Sequence, residues 1–404
     1  MSFKTRVSVL LVSTPVLAFV LIGGLLGNNA AALTPGEDKF QHLRVFQDVV
    51  GLVMQTYVED VKVSAVMEGA MRGLAEGLDP DSAYLTADQV KQAQTPLASG
   101  DLGIELTRQF YLRIIAARDD SPAARAGLQT GDYVRAIDGK ATRDLTVFEG
   151  TRLLRGAPGS KVVLTIIRGN AAEPHEVTLV REKSVAPPVT AKMLDGGIGY
   201  IRVPAFTTTT AADLKRGAGE LEKSGAKALI VDVRRTAEGT IEDGIAAARP
   251  FVKSGTLTSK AGRAKGPKAE APKESVVAGE GDGAITLPVQ LLVTAGTSGA
   301  AEVFAAALNG NKRAELVGEH TIGRAAAQKL IPLPENRGLW LTYARYLTPT
   351  GETIHGKGLK PDVAIDEPDV DFGASLPKSD PLLDAAIQRA KTPSVMRQLP
   401  AGAR

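Results

Sequence analysis

The sequence predicts an α/β protein in which a helix-covered sheet follows a helical N-terminal part and a small, mainly β module. Three observations support this fold class. Apolar residues recur at helical spacing early in the chain, and short β-rich runs separated by glycine turns come next. Near-continuous apolar strands then alternate with helices over the second half, which is typical of a sheet covered on both faces.

Composition restricts the functional classes. The chain has 404 residues and 44% hydrophobic content, enough for two or three domains with sizeable cores. The net charge of +3 is dispersed along the chain, so nothing indicates binding to nucleic acid. There is no cysteine, and the four histidines lack ligand spacing. We therefore expect no disulfide and no metal site, and no motif indicates a cofactor.

Residues 1–32 have the pattern of a signal peptide or a membrane anchor. Lys4 and Arg6 precede an uncharged, largely apolar run over residues 7–27, which is long enough to span a bilayer. A small-residue segment that ends at Ala32 would permit cleavage. We expect export across the inner membrane of a bacterial-type cell into the periplasm. The chain is then either anchored by residues 7–27, which the length of the run favours, or released after cleavage near Ala32.

The elements after this segment fall into two parts before the core. Residues 37–95 are predicted to be helical, because apolar positions follow helical spacing. Residues 99–183 are predicted to form the mainly β module, with short strands, turns such as Asp138-Gly139 and one helix over residues 145–154.

Residues 184–366 form the predicted core. Within them, residues 259–283 are rich in Gly, Pro, Lys and Glu, and we predict a flexible surface loop there. Residues 367–404 are predicted to be a loose tail with one short helix. Ligands of such sheets bind beyond the carboxyl ends of the strands, which is where the turn at residues 296–299 follows an apolar strand.

Several segments match one protein family in composition and in order. They are Leu-Asp-Pro-Asp-Ser at 78–82, Ser-Pro-Ala-Ala-Arg-Ala-Gly-Leu-Gln-Thr-Gly-Asp at 121–132, Gly-Ile-Gly-Tyr-Ile at 197–201, Ala-Arg-Tyr-Leu-Thr-Pro at 344–349 and Ile-His-Gly-Lys-Gly at 354–358. In these segments the chain resembles the carboxy-terminal processing (tail-specific) proteases, which are S41-type serine peptidases of the bacterial envelope and chloroplast lumen. The resemblance implies a protease core and a PDZ domain over residues 99–183.

The same resemblance implies that the catalytic dyad is missing. Family members use a serine nucleophile and a lysine base, which is oriented by a glutamine one helical turn later. Their loop Gly-Ser-Ala-Ser-Ala-Ser-Glu aligns with residues 296–302, so the serine falls on Gly299, the lysine on Arg324 and the glutamine on Gln328. Glycine has no hydroxyl, and an arginine stays protonated and cannot act as a base.

The family loop that supplies backbone donors to the oxyanion shows a third departure. It aligns with residues 232–239, where Glu238 replaces a glycine beside Gly239. A carboxylate there opposes the developing negative charge of the reaction. An ion pair between Glu238 and Arg324 would neutralise both departures.

Ser298 leaves an alternative open. This residue, one position before Gly299, could attack with His320 or Lys329 as the base, although a one-residue shift redirects a side chain in a tight turn. The interpretation that we favour is that Ser298 caps the following helix.

The PDZ resemblance also implies a peptide-binding groove. The segment Gly-Asp-Leu-Gly-Ile at 100–104 matches the loop that holds a C-terminal carboxylate on backbone amides, and the peptide adds as a strand beside it. The residues expected to line this groove are Leu102, Gly103, Ile104, Leu106, Val147 and Thr151.

Three functions follow from the sequence, and whether the chain is an enzyme stays open among them. The first is a pseudoprotease that binds protein C-terminal segments through its PDZ domain. The second is an active serine endopeptidase that uses Ser298. The third is a non-catalytic adaptor subunit that forms a homo-oligomer or pairs with an active paralogue.

Overall fold

The computed structural model describes residues 37–169, 173–264, 270–374, 377 and 379–391. The predicted signal peptide or anchor at 1–32 lies outside these residues, and so does the end of the predicted tail. No helix of the described part is long and apolar enough to cross a membrane. The chain divides into two compact units, residues 1–71 and 72–404, which are described separately.

The region predicted to be helical contains a strand as well as helices. Its elements are α1 (Glu37–Thr56), α2 (Val63–Glu76), β1 (Ala83–Leu85) and α3 (Ala87–Gln94). The Asp79 carboxylate accepts hydrogen bonds from the backbone amides of Asp81 and Ser82, at 2.9 and 2.7 Å. Such a turn diverts the chain out of the helix and into β1. The prediction that residues 37–95 are helical is therefore wrong at residues 83–85.

The β module forms a twisted antiparallel sheet with one principal helix. Its elements are β2 (Gly100–Asp101), β3 (Ile104–Gln109), β4 (Tyr111–Ala117), α4 (Pro122–Arg125), β5 (Tyr133–Ile137), β6 (Lys140–Ala141), α5 (Val147–Leu154), β7 (Lys161–Ile167), β8 (His175–Val180) and β9 (Glu182–Lys183). The strand order is β3-β4-β5-β7-β8, so β3 is an edge strand. The first and last strands, β2 and β9, pair with each other and close the module. Helix α5 begins with a capping box between Thr146 and Glu149.

The remaining elements form the core. They are β10 (Thr190–Leu194), β11 (Ile198–Arg202), α6 (Thr210–Lys223), β12 (Ala228–Asp232), α7 (Ile241–Ala248), β13 (Thr256–Ala261), β14 (Lys273–Val277), β15 (Val289–Val293), α8 (Ala300–Gly310), β16 (Ala314–Gly318), β17 (Ala326–Pro332), a 3₁₀ turn (Pro334–Asn336), β18 (Gly338–Leu347), β19 (Val363–Ala364) and α9 (Pro381–Lys391).

The main sheet of the core has the order β10-β11-β12-β15-β16-β19, and only β10 is antiparallel to its neighbour. Alternate residues of the central strands enter two different cores. Val231 and Leu291 pack with α6, α7 and α8, whereas Ile230 and Leu292 pack with α9. The sheet is thus covered on both faces, and the predicted fold class is confirmed.

A second, antiparallel sheet corrects two expectations. Strands β17 and β18 lie in the second half of the chain, where the sequence predicted strands of the covered sheet, but they join β1, β13 and β14 instead. The loop predicted over 259–283 includes all of β14, which pairs with β13. Strand β14 begins with three polar residues, Lys273–Ser275, and is exposed apart from Val276, so it resembles a loop although its backbone is extended.

Candidate active site

The turn between β15 and α8 has the geometry of a reactive-residue turn but carries glycine. Gly299 is the N-cap of α8, with φ +58° and ψ −110°, a conformation that residues with a side chain adopt only under strain. A Cβ atom built on Gly299 would meet no atom within 4 Å. Strained strand-to-helix turns present the nucleophile in α/β-hydrolases. Position 299 therefore has room for a side chain, although its positive φ would strain any residue other than glycine.

A buried carboxylate joins this turn to the loop that carries Arg324. Glu302 is completely buried and accepts hydrogen bonds from the Thr321 hydroxyl at 2.5 Å and from the amides of Gly323 and Arg324 at 2.6 and 2.7 Å. It also accepts one from the Gly299 amide at 3.1 Å. Burial raises the pKa of Glu302, and these hydrogen bonds act against that rise. One side chain thus fixes both backbone segments of the aligned dyad.

Arg324 itself is held by two carboxylates. Its Nε and Nη2 atoms lie 2.9 and 2.6 Å from Asp81 Oδ1, and its Nη1 atom lies 2.9 Å from Glu105 Oε1 on strand β3. Burial lowers the pKa of the guanidinium, but Asp81 and Glu105 outweigh burial and raise that pKa above its usual value. Arg324 is therefore a fixed cation, and it links the core to the β module.

Glu238 pairs with a different cation, so the suggested ion pair between Glu238 and Arg324 is wrong. Glu238 Oε2 accepts a hydrogen bond from Arg118 at 3.0 Å, and Arg118 also pairs with Asp101 at 2.8 Å. The charges of Glu238 and Arg324 are thus both neutralised, but by residues from other parts of the chain and not by each other.

The loop that contains Glu238 remains attached to the turn at 299. Gly239 has φ +126°, and a Cβ there would lie 2.3 Å from the Phe206 carbonyl oxygen, so only glycine fits. The Ser298 amide donates to the Thr236 carbonyl at 3.0 Å. Within the described residues, the amides of Gly239 and Ala300 have no protein acceptor.

Among the described residues, Ser298 has no hydrogen bond to either of its suggested bases, His320 and Lys329. It is 2% exposed, and its hydroxyl makes no hydrogen bond with any residue that the structure describes. His320 Nδ1 lies 2.9 Å from the Thr321 carbonyl, and Lys329 Nζ lies 4.8 Å from the centre of the Tyr343 ring. The predicted helix-cap role of Ser298 is also wrong, because Gly299 is the N-cap and Glu302 provides the capping side chain.

Gln328 does not follow Arg324 on a helix. It lies on β17 opposite Thr342, and its Oε1 accepts a hydrogen bond from Trp340 Nε1 at 3.4 Å. The helical spacing that the resemblance implied for these two residues is therefore wrong, because the chain is extended from Ala326 onward.

The expected peptide groove has a free strand edge. Gly103 has φ +72°, and a Cβ there would lie 2.2 Å from the Ser121 Cβ atom, so the turn requires glycine. Leu102 and Leu106 are buried in the module, and Ile104 packs against its core. In the described part of the chain, the amides of Leu102 and Gly103 have no acceptor and β3 pairs only with β4. A peptide strand can therefore add at β3.

Helix α5 forms the other side of this groove and contacts the helices before the module. Val147 is buried and Thr151 is half-buried on α5. Glu149 pairs with Arg72 at 2.8 Å and accepts a hydrogen bond from Gln89 at 3.0 Å. Both sides of the groove are thus held by polar contacts from outside the module.

Comparison with known proteins agrees with this architecture. Residues 197–365 match the sequence model of peptidase family S41, and residues 113–168 match that of a PDZ domain. The carboxy-terminal-processing protease of Bartonella bacilliformis is 31% identical over 343 residues, which cover 82% of this chain and 77% of that protein. The chain belongs to peptidase family S41. The resemblance to the carboxy-terminal processing proteases is thereby confirmed.

Two further comparisons extend the likeness along the chain. This S41 protein is 30% identical over 349 residues to the carboxy-terminal processing protease CtpA of Bacillus subtilis, covering 85% of this chain and 72% of that one. The solved structure of a photosystem II D1 C-terminal processing protease superimposes with a TM-score of 0.66 at 24% identity, over 85% of this chain and 90% of that chain. This second likeness shows a shared fold.

Proposed function

We propose that this S41 protein does not hydrolyse peptides and instead binds protein C-terminal segments through its PDZ domain. The observation that carries the proposal is the arrangement at the aligned dyad. Gly299 offers no hydroxyl, and Arg324 is fixed by Asp81 and Glu105. Serine hydrolysis of this type needs a hydroxyl beside a base that can be neutral.

The charge on Arg324 supports the absence of a base. An amine acts as a base only when its surroundings lower its pKa toward neutrality. The two carboxylates at Arg324 have the opposite effect, since they stabilise the positive form. An arginine at this position is thus suited to joining elements of the fold.

The PDZ domain supports the binding part of the proposal. Its edge strand β3 is free, and the amides of the glycine turn before β3 have no acceptor among the described residues. Backbone amides in such a turn can hold a terminal carboxylate, while buried Leu102 and Leu106 give the groove an apolar floor. The favoured ligand is a protein C-terminus that ends in an apolar residue.

The cellular setting is part of the proposal. The positive flank and apolar run at residues 4–27 favour export into the periplasm with the N-terminal segment in or near the membrane. Helix α1 exposes apolar side chains such as Leu43 and Leu52, which suits pairing with a second copy or with an active paralogue.

A labelling experiment tests the absence of catalysis. A fluorophosphonate probe reacts with activated serines, and we expect no labelling of the full-length protein. Labelling that disappears in Ser298→Ala would contradict the proposal and establish the displaced nucleophile.

A peptide-binding experiment tests the PDZ part of the proposal. We expect the protein to bind a fluorescent peptide with an apolar C-terminus and to lose that binding when the C-terminus is amidated. A folded PDZ domain that binds no such peptide would favour the adaptor function.

Restoring the dyad tests the cause of the inactivity. Because a Cβ at residue 299 meets no neighbour, Gly299→Ser together with Arg324→Lys should produce slow cleavage of an unfolded protein substrate. Gly299→Ser alone is the matched control and should stay inactive, since Arg324 remains protonated. A double variant without any cleavage would implicate a further cause, either Glu238 in the oxyanion loop or Asp81 and Glu105, which would hold a lysine at 324 in its charged form.

A further inference from the structure

A second cavity lies at the amino-terminal edge of the main sheet, at the opposite end of the parallel strands from Gly299. Its volume is about 820 Å³, within the range of sites for small molecules. It is bounded by the first residues of β11, β12, β15 and β16 and by the last residues of α8 and α9. None of the residues of the aligned dyad lines it.

Gln290 lines this cavity and is the one polar residue of strand β15. The other four residues of β15 are apolar, and Gln290 is only 4% exposed. Its Oε1 atom accepts no hydrogen bond from any residue in the described ranges. An unpaired buried acceptor is costly, and a donor group in the cavity would satisfy it once the amide, whose oxygen is closed to solvent here, turned toward that group.

The walls of the cavity are positively charged. Lys227, Lys312 and Lys391 line it, and none of them forms a salt bridge with a residue that the structure describes. All three are exposed, so their ammonium groups are free to reorient toward a ligand.

The other charged residues of the cavity are already engaged. Arg389 pairs with Glu315, and Asp362 accepts hydrogen bonds from the Asn309 side chain and the Leu316 amide, at 2.7 and 2.8 Å. Arg313 donates only to backbone carbonyls, and burial lowers its pKa. Both carboxylates are thus engaged by neighbours on the cavity wall, and five cationic side chains against two carboxylates leave an excess of positive charge.

We propose that this cavity binds a phosphorylated small molecule, whose phosphate contacts the three lysines and whose hydroxyl or amine donates to Gln290 Oε1. Lysine ammonium groups suit phosphate as compact charges. The Gln290 oxygen requires a donor, so inorganic phosphate without further groups fills only half of the site. A soluble sugar phosphate and the head group of phosphatidylglycerol share this chemistry.

Thermal unfolding of the full-length protein in non-ionic detergent, followed by the fluorescence of Trp340, tests the proposal. The probes are glucose phosphate, glycerol phosphate and dihexanoyl phosphatidylglycerol, with glucose, glycerol and dihexanoyl phosphatidylcholine as matched controls. A ligand that binds the folded state raises the Tm. We expect at least one phosphorylated probe to raise the Tm by several degrees while its control does not. A response to the soluble probes alone, or to the lipid alone, identifies the source of the ligand.

Two variants localise the effect. Gln290→Leu removes the unpaired acceptor, so the Tm without ligand should rise and the response to the probe should disappear. Combined Lys227→Ala, Lys312→Ala and Lys391→Ala should leave the Tm without ligand unchanged and weaken the probe at least tenfold. The proposal is overturned if no phosphorylated probe raises the Tm, or if the triple lysine variant responds as strongly as the native protein.

Discussion

The two edges of the main sheet differ in whether their buried polar groups have hydrogen-bond partners. At the carboxyl edge, Glu302, Asp232 and Arg324 each have several partners. At the amino edge, Gln290 has an oxygen atom without a partner in the described structure and three unpaired lysines nearby. At the carboxyl edge, the hydrogen bonds of these buried polar groups are therefore supplied by other residues of the chain. The opposite edge is the one with unmet hydrogen-bonding capacity.

Removing Glu302 should have the largest effect on this comparison. Glu302→Ala leaves four donors without an acceptor, three of them backbone amides. We expect the free energy of unfolding to fall by about 3–4 kcal/mol, measured by urea denaturation followed by circular dichroism. Glu352→Ala, at an exposed turn, is the control and should change it by less than about 0.5 kcal/mol. Equal effects of the two variants would show that Glu302 does not fasten the two loops.

The ion pairs of Arg324 come next. Arg324→Met leaves the Asp81 carboxylate, which is 5% exposed, without its cation. We expect a loss of about 2–3 kcal/mol, less than for a fully buried pair because Glu105 is 42% exposed. Adding Asp81→Asn to Arg324→Met should recover part of that loss. Strictly additive losses in the double variant would mean that the two residues do not interact.

The pH dependence of stability tests the role of Asp232 at the carboxyl edge. Burial alone would raise the pKa of Asp232, but Arg202 and Arg234 outweigh it and lower that pKa to about 2. A lowered pKa stabilises the fold above the usual pKa of the group, and this contribution is lost as the pH falls from about 4 to about 2. The expected loss is about 2 kcal/mol. Urea denaturation at several pH values should show it, and Asp232→Asn should flatten the slope in this window.

A substitution at the amino edge should change the free energy of unfolding least and should increase it. Gln290→Leu replaces an unpaired buried amide with an apolar side chain of similar size. The free energy of unfolding in the absence of ligand should rise by about 1 kcal/mol. As a control, Gln89→Leu on α3 replaces a half-buried glutamine, removes its hydrogen bond to Glu149 and should not stabilise the protein. A loss of stability in Gln290→Leu would mean that the amide is satisfied in solution and that the two edges do not differ.

Sequence was informative where function is carried by local motifs. The order of the motifs identified the family, and the alignment of Gly299 and Arg324 with the family's dyad stays a prediction. The covered sheet was also predictable, because strands such as β15 are apolar or nearly so along their length. The conformation of Gly299 could not be predicted, since φ depends on how β15 and α8 are joined.

Pairings between distant residues could not be read from the sequence. Glu238 binds Arg118, which is 120 positions away, and Arg324 binds Asp81, which is 243 positions away. Asp81 belongs to the motif at 78–82, so the motif was visible but its partner was not. Glu302 lies within the aligned serine loop, and a lone acidic residue in the first turn of an apolar helix was a local signal of its role. Strand β14 was missed because an exposed edge strand has a polar composition.

The backbone at residue 299 has a consequence for how such a protein evolves. Any side chain held at φ +58° strains the main chain, and glycine is the residue that relieves this strain. An ancestor with serine in the same turn would have gained thermodynamic stability through the very substitution that removed its hydroxyl. Selection for a robust scaffold and relaxed selection for chemistry would then favour the same change.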